Sequence, residues 1–311
     1  MKVSIVGVGK VGVTVGYSIV SHGLASELVL VGRNQQRLRG EALDLQHAAA
    51  LHPGRITVRG GDLEATRNSA VIVLSLAESA DKGGHAMDRI ASAAPNARLF
   101  QEVVPQLARL SPDAILLVMT NPVDVLTYAT LKLSGFDPKR VLGTGTLIDS
   151  ARFRSLLSAH YEINSDDIRA YVLGEHGESQ FPVLSAVYAG GWHMGKDPVV
   201  KNAFEQTLTA APEVFVAKGY TNFAVASAAS MILQAIRDDS HRTMPVSTLV
   251  DGYYGIEDVC LSLPAVIGRE GVAQVLSIAL NAEEQQQLHR SANHLLDVNQ
   301  KLSDVWNKPA G

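Results

Sequence analysis

A chain of 311 residues with 46% hydrophobic and 19% charged side chains carries enough apolar material for two ordinary domains, which excludes a disordered, collagenous or disulfide-stapled protein. Its 27 Lys and Arg against 31 Asp and Glu give a net charge of −4, without the basic block that a nucleic acid or an anionic membrane surface would require of a partner. Cys260 is the one cysteine of the sequence, so an internal disulfide and a cysteine-based metal cage are both excluded, and a reducing cytoplasm fits.

The chain opens on a strand. Met1-Lys2 runs into Val3-Ser4-Ile5-Val6 and then into glycines and Lys10, too short and too interrupted an apolar stretch for a secretory leader. Strands are predicted over 3–6, 28–31, 56–58, 71–76, 115–119 and 141–142, several of them near-continuous apolar runs of the kind buried on both faces. Helices are predicted between them over 11–21, 36–48, 89–110 and 123–134, the last entered through Asn121-Pro122, read as a cap followed by proline in the first turn. This alternation predicts an α/β fold, a doubly wound parallel Rossmann sheet over 1–145. Past Gly145 the rhythm changes to a helix over 150–159, a polar Asn164-Ser165-Asp166-Asp167 turn, a strand over 169–173, further strands and helices, and an amphipathic tail helix over 283–302. An α+β second domain over 146–311 is expected, packed on the first without a linker, with any ligand in the crevice between them. The longest uncharged stretch, 219–236, includes Thr221, Asn222, Ser227, Ser230 and Gln234, too polar for a lipid-facing span.

Gly7-Val8-Gly9-Lys10-Val11-Gly12 lies directly between the first strand and the first helix. In that context Gly7 permits a tight turn, Gly9 lets the backbone approach a pyrophosphate, and Gly12 lets helix and strand pack closely, with the helix N-terminus supplying N–H groups. At the end of the second strand, where a carboxylate normally accepts the adenosine ribose hydroxyls, the chain has Gly32 followed by Arg33 and Asn34. Loss of a charge that would repel a 2′-phosphate, beside a guanidinium and an amide, points to NADP(H) over NAD(H).

His176 stands in Leu173-Gly174-Glu175-His176-Gly177 at the end of a predicted strand, between residues read as flexible. No His-Glu-x-x-His or other metal pattern surrounds it or the other histidines. Its company is Asp149-Ser150-Ala151-Arg152, Thr120-Asn121-Pro122 and Arg89. The Tyr128-x-x-x-Lys132 spacing also resembles a short-chain dehydrogenase pair, but the glycine spacing at the N-terminus does not belong to that group.

Gly7 to Gly12, Thr120-Asn121-Pro122-Val123-Asp124, the run from Gly143 through Asp149-Ser150-Ala151-Arg152 to Arg154, Gly174-Glu175-His176-Gly177, Lys218-Gly219-Tyr220-Thr221 and Leu261 to Arg269 together resemble the L-lactate/malate dehydrogenase family. The resemblance extends almost end to end. It implies an NAD(P)-dependent (S)-2-hydroxy-acid dehydrogenase, on the lactate side of the family, in which His176 is the acid/base and Asp149 holds its other ring nitrogen. Arg152 would grip the substrate carboxylate, Arg89 would polarise the carbonyl, Asn121 would bond the substrate oxygen, and Thr221 would line the pocket. The coenzyme would lie along Gly7 to Gly12, Gly32, Arg33, Asn34, Ser75, Leu76, Met119 and Asn121. A homodimer or homotetramer is implied as well, and Arg154 and Arg169 match positions that meet an anionic effector in some relatives.

The sequence departs from the family in the segment before Arg89. Ala77-Glu78-Ser79-Ala80-Asp81-Lys82-Gly83-Gly84-His85-Ala86-Met87-Asp88 is about three residues longer than the family's mobile loop and carries neither the lactate-selecting glutamine nor the malate-selecting arginine in a recognisable place. Its length is similar to the L-2-hydroxyisocaproate dehydrogenase branch, which points to a bulkier 2-oxo acid. Lys82 or His85 facing a second carboxylate would favour malate instead. A non-catalytic dinucleotide-binding redox sensor is the alternative from another class, and retention of the five reacting residues argues against it.

Overall fold

The computed structural model describes residues 1–52, 54–78 and 92–307. In its first half the order is β1 (Lys2–Val6), α1 (Lys10–Ser21), β2 (Glu27–Val31), α2 (Gln35–Ala49), β3 (Thr57–Gly61), β4 (Val71–Leu74), α3 (Ala93–Leu110), β5 (Ile115–Val118), α4 (Val123–Ser134) and β6 (Val141–Gly143). The six strands are parallel and lie side by side as β3-β2-β1-β4-β5-β6. The chain therefore winds one way from β1 and the other way from β4, which opens a crevice beyond the C-terminal ends of these two neighbours.

The apolar runs follow from this position. Val3, Ile5, Leu28, Leu30, Val71, Val73, Ile115 and Leu117 enter one core cluster, while Val6, Val29, Val31, Ile72, Leu74, Leu116 and Val118 enter the cluster on the opposite face. Alternate residues point to opposite faces of a strand, and both faces are covered, so the buried positions are apolar apart from Ser4, whose hydroxyl is satisfied by Ser69 Oγ at 2.7 Å.

The second half contains α5 (Leu147–Tyr161), β7 (Ile168–Arg169), β8 (Val172–Leu173), β9 (Phe181–Pro182), β10 (Tyr188–Ala189), β11 (Trp192–His193), α6 (Pro198–Lys218), α7 (Phe223–Asp238), β12 (Arg242–Tyr253), β13 (Ile256–Gly268), β14 (Gly271–Val275), α8 (Ala282–Lys301) and α9 (Ser303–Asn307). Strands β12 and β13 form a long antiparallel pair. Through the Ser247↔Gly143 pairing, β12 joins β6, so one nine-stranded sheet, β14-β13-β12-β6-β5-β4-β1-β2-β3, runs through both halves. The junction is tight: a Cβ on Gly143 would stand 2.4 Å from Thr127 Oγ1 and 3.0 Å from Ser247 Cβ.

Three local expectations change. The strand expected over 169–173 is two short ones, because β7 pairs with β10 whereas β8 pairs with β9, and the chain changes partner at Ala170-Tyr171. Asn121 does not cap α4; Pro122, in extended conformation, is the N-cap residue and no side chain accepts from the first turn. The helix expected from 89 begins at Ala93 among the described residues, and 89–91 lie outside them. The tail helix, expected over 283–302, runs over Ala282–Lys301 and opens on a capping box, in which the Asn281 side chain accepts from Glu284 N–H and the Glu284 side chain accepts from Asn281 N–H.

Candidate active site

The glycines between β1 and α1 have three different reasons to be glycine. Gly7 has φ +110°, and a Cβ there would lie 2.3 Å from the Ser75 carbonyl oxygen and 2.6 Å from Leu76 N. On Gly12 it would lie 1.9 Å from the Gly7 carbonyl oxygen, whereas on Gly9 it would meet nothing within 4 Å. Folding therefore accounts for Gly7 and Gly12 but not for Gly9. Open space at Gly9, at the N-cap of a helix with no side-chain cap, is what close approach of a pyrophosphate requires, so these residues fit a dinucleotide. Gly12→Ala is expected to cost about 3 kcal/mol or more of stability in denaturant titration, because the clashing atom, the Gly7 carbonyl oxygen, is backbone. Gly9→Ala is expected to keep the melting temperature within about 2 °C while raising coenzyme Kd at least about tenfold; equal effects at the two positions would count against this division of roles.

At the end of β2 a Cβ on Gly32 would stand 2.4 Å from Val8 Cγ2, so a side chain here would have to displace the Val8 methyl. Arg33 is exposed and pairs with Glu78 at 3.4 Å, a contact weak enough for the guanidinium to be re-aimed. The Asn34 side chain accepts from Arg37 N–H at 3.0 Å and caps α2. Ser75, Leu76, Met119 and Asn121 follow β4 and β5 at the same end of the sheet. Ser75 N–H donates to the Val6 carbonyl and Met119 N–H to the Leu74 carbonyl, each at 2.9 Å, which fixes this rim of the crevice.

His176 and Arg152 meet at one buried carboxylate. Asp149, in the first turn of α5, is 3% exposed at its side chain; Oδ2 meets His176 Nδ1 at 2.5 Å and Oδ1 accepts from Arg152 Nη1 at 3.0 Å. His176 and Arg152 are 10% and 18% exposed, so each keeps a face for a ligand while its other side is held. With Asp149 on Nδ1, Nε2 is the ring nitrogen left to address a ligand. The motif glycines supply space more than flexibility. Gly174 has φ +86° and faces Ser291 Oγ, while a Cβ on Gly177 would stand 2.3 Å from Glu175 Oε1. Glu175 is itself tied down, accepting from Ser179 N–H and Oγ–H at 3.2 and 2.5 Å.

Asn121 is placed by a residue that the sequence does not single out. Buried Asn96 on α3 donates to the Asn121 carbonyl and accepts from Glu78 N–H, both at 2.9 Å. The Asn121-Pro122 peptide is cis. Thr221 sits in the corner between α6 and α7. That corner is fastened to α1, with Lys218 Nζ donating to Asn222 Oδ1 at 2.5 Å and Asn222 Nδ2 to Thr14 Oγ1 at 2.9 Å. Arg89, Lys82, Gly83, Gly84 and His85 lie outside the described residues. Tyr128 and Lys132 both bond Asp258 at the start of β13, at 3.0 and 2.9 Å, so the Tyr-x-x-x-Lys spacing serves a clasp between α4 and β13. Burial pulls the Arg154 guanidinium below its ordinary range, with Arg169 and Arg242 adding to the effect; its buried Nε has no hydrogen-bond partner among the described residues.

A doubly wound sheet with a glycine cradle, joined to a histidine–aspartate–arginine group, defines a dinucleotide-dependent oxidoreductase. Residues 1–143 match the lactate/malate dehydrogenase NAD binding domain and 146–305 the alpha/beta C-terminal domain of the same family. The chain belongs to the lactate/malate dehydrogenase family. It is 41% identical over 310 residues to the L-lactate dehydrogenase of Salinibacter ruber, covering 97% of each chain. With L-lactate dehydrogenase A of Hordeum vulgare it shares 39% identity over 314 residues, covering 97% of this chain and 87% of the relative. A solved lactate dehydrogenase from a Medee basin deep-sea metagenome library superposes with TM-score 0.92 at 33% identity, covering 97% of this chain and 98% of the other. Among the described residues no helix is long and apolar enough to cross a membrane.

Proposed function

We propose that this protein interconverts a 2-oxo acid and its L-2-hydroxy acid, with a preference for NADPH and for a 2-oxo acid bulkier than pyruvate. The observation that carries the reaction class is the single buried carboxylate of Asp149 shared by His176 and Arg152. It sets a proton donor and a carboxylate receptor at fixed separation, which a 2-oxo acid, with adjacent carbonyl and carboxylate, matches.

In this reading Gly7 to Gly12 and the start of α1 bind the pyrophosphate. Ser75, Leu76, Met119 and Asn121 line the nicotinamide side, and Gly32, Arg33 and Asn34 the adenosine side. The bound coenzyme supplies the hydride. Arg152 holds the substrate carboxylate through its guanidinium, turning the carbonyl carbon to the nicotinamide face. Asn121 donates to the carbonyl oxygen, Thr221 lines the pocket, and Arg89 stabilises charge developing on that oxygen. His176 gives the Nε2 proton to the oxygen, and Asp149 stabilises the imidazolium in the reverse direction. The chain divides at 145/146 into coenzyme and substrate domains, acts in the cytoplasm, and assembles as a homodimer or homotetramer. Arg154, Arg169 and Arg242 supply the cationic group that an anionic effector needs.

Support for NADPH rests on Arg33 more than on Gly32, since glycine at 32 also makes room for the Val8 methyl. Support for a bulky substrate rests on the length of the segment before Arg89. Initial rates with NADPH and NADH against pyruvate, oxaloacetate, 2-oxoisocaproate, phenylpyruvate and imidazolepyruvate test both. NADPH-driven reduction of a bulky member is expected, and Arg33→Ala should reduce the NADPH to NADH preference about tenfold, in line with one charge-assisted contact. A preference for NADH with pyruvate would remove the two refinements and leave the reaction class standing.

A further inference from the structure

The ladder between β8 and β9 ends at Leu173↔Phe181. Gly174, at φ +86°, then turns the chain out of this pairing, and the next two backbone N–H groups, of Glu175 and His176, have to find acceptors elsewhere. Each finds a side chain distant in sequence. Ser291 Oγ on α8 accepts from Glu175 N–H at 2.7 Å, and Asp124 Oδ2 in the first turn of α4 accepts from His176 N–H at 2.7 Å. Asp124 is 2% exposed, and a hydrogen bond to a buried carboxylate is among the stronger kinds. It also crosses between the halves of the chain, from the helix that follows Asn121 to the segment that carries His176.

We propose that Asp124 is a positioning residue for the transfer step. Asp149 fixes the rotation of the imidazole, whereas Asp124 fixes where its backbone stands. Because Asp124 is three residues after Asn121, in the first turn of the helix that Asn121-Pro122 leads into, this bond sets the separation of Asn121 and His176, the two groups that address the substrate oxygen. The inference rests on the reading of His176 as proton donor.

The test uses the full chain with its best coenzyme and 2-oxo acid. Asp124→Ala is expected to lower kcat by about 10- to 100-fold, the scale of a misplacement of about 1 Å, with KM and coenzyme Kd within about threefold. Asp124→Asn, which keeps an oxygen acceptor of the same reach, is expected to restore kcat to within about fivefold of the unaltered protein. Should the alanine protein not fold, Asp124→Ser, too short to span to the N–H, takes its place. A kcat within about twofold of normal overturns the proposal, and so does a loss of coenzyme affinity and melting temperature in step with kcat, the mark of a merely structural role. His176→Asn run in parallel separates the two readings: turnover surviving there removes the proton donor, while turnover lost there but intact in Asp124→Ala removes only the role of Asp124.

Discussion

Replacing His176 by asparagine is expected to lower kcat by about 10³-fold or more while coenzyme Kd, read by quenching of protein fluorescence, stays within about twofold. Asparagine has about the volume to fill the space and can still donate toward Asp149, so the Arg152 side of the site is left in place. It has no group that gains and loses a proton near neutrality, so the carbonyl oxygen has no acid to complete its reduction. The ring contacts Asp149, not the cradle at Gly7 to Gly12, which is why binding and turnover should separate. Turnover within about tenfold of normal would remove His176 from the acid/base role.

Asp149→Asn is expected to lower kcat/KM by about 10³- to 10⁴-fold, although the side chains are nearly isosteric. The two carboxylate oxygens serve two donors, His176 Nδ1 at 2.5 Å and Arg152 Nη1 at 3.0 Å. An amide offers one oxygen and one NH2 group, so one of those donors must face another donor. If the amide nitrogen faces histidine, Nδ1 has to accept, the neutral ring carries its proton on Nε2 and no carboxylate supports an imidazolium. Nε2 is then a poor acid toward the carbonyl and has no lone pair for the reverse step, and kcat falls. If it faces arginine, the guanidinium loses its ion pair with Asp149 and its aim, and KM rises. Either outcome is read directly from initial rates over a range of 2-oxo acid concentrations. A loss smaller than about tenfold would mean that Asp149 does not organise the pair.

The parallel half of the fold is legible in the sequence because its inner strands are largely apolar on both faces and each crossover helix is periodic, so local pattern and final environment agree. Legibility fails where an element is defined by its partner. The break between β7 and β8 is not written in Arg169 to Leu173; it exists because Phe181-Pro182 takes one half and Tyr188-Ala189 the other. The same holds for the site. His176, Asp149, Arg152 and Asn121 stand in recognisable runs, whereas Asn96 and Ser291 act through hydrogen bonds to residues 25 and 116 positions away, and neither lies in a run with a reading of its own. Asp124 closes the Thr120 to Asp124 run that carries the family resemblance but has no role of its own there, and an acid in the first turn of a helix ordinarily answers the helix dipole; its bond to His176 N–H appears only in three dimensions. Gly32, read for its missing charge, also makes room for Val8, a packing relation that its sequence neighbours do not display.

The pairing of Ser247 with Gly143 also bears on how the chain is made. The strand Val141–Gly143 leaves the ribosome roughly a hundred residues before its neighbour Arg242–Tyr253, an interval on the order of 5–20 s at ordinary rates of synthesis. During that interval the nascent N-terminal half has an uncovered apolar edge. The edge is only three residues long, which limits what another chain could add to it, and the newborn protein reaches its finished sheet only when its last third arrives.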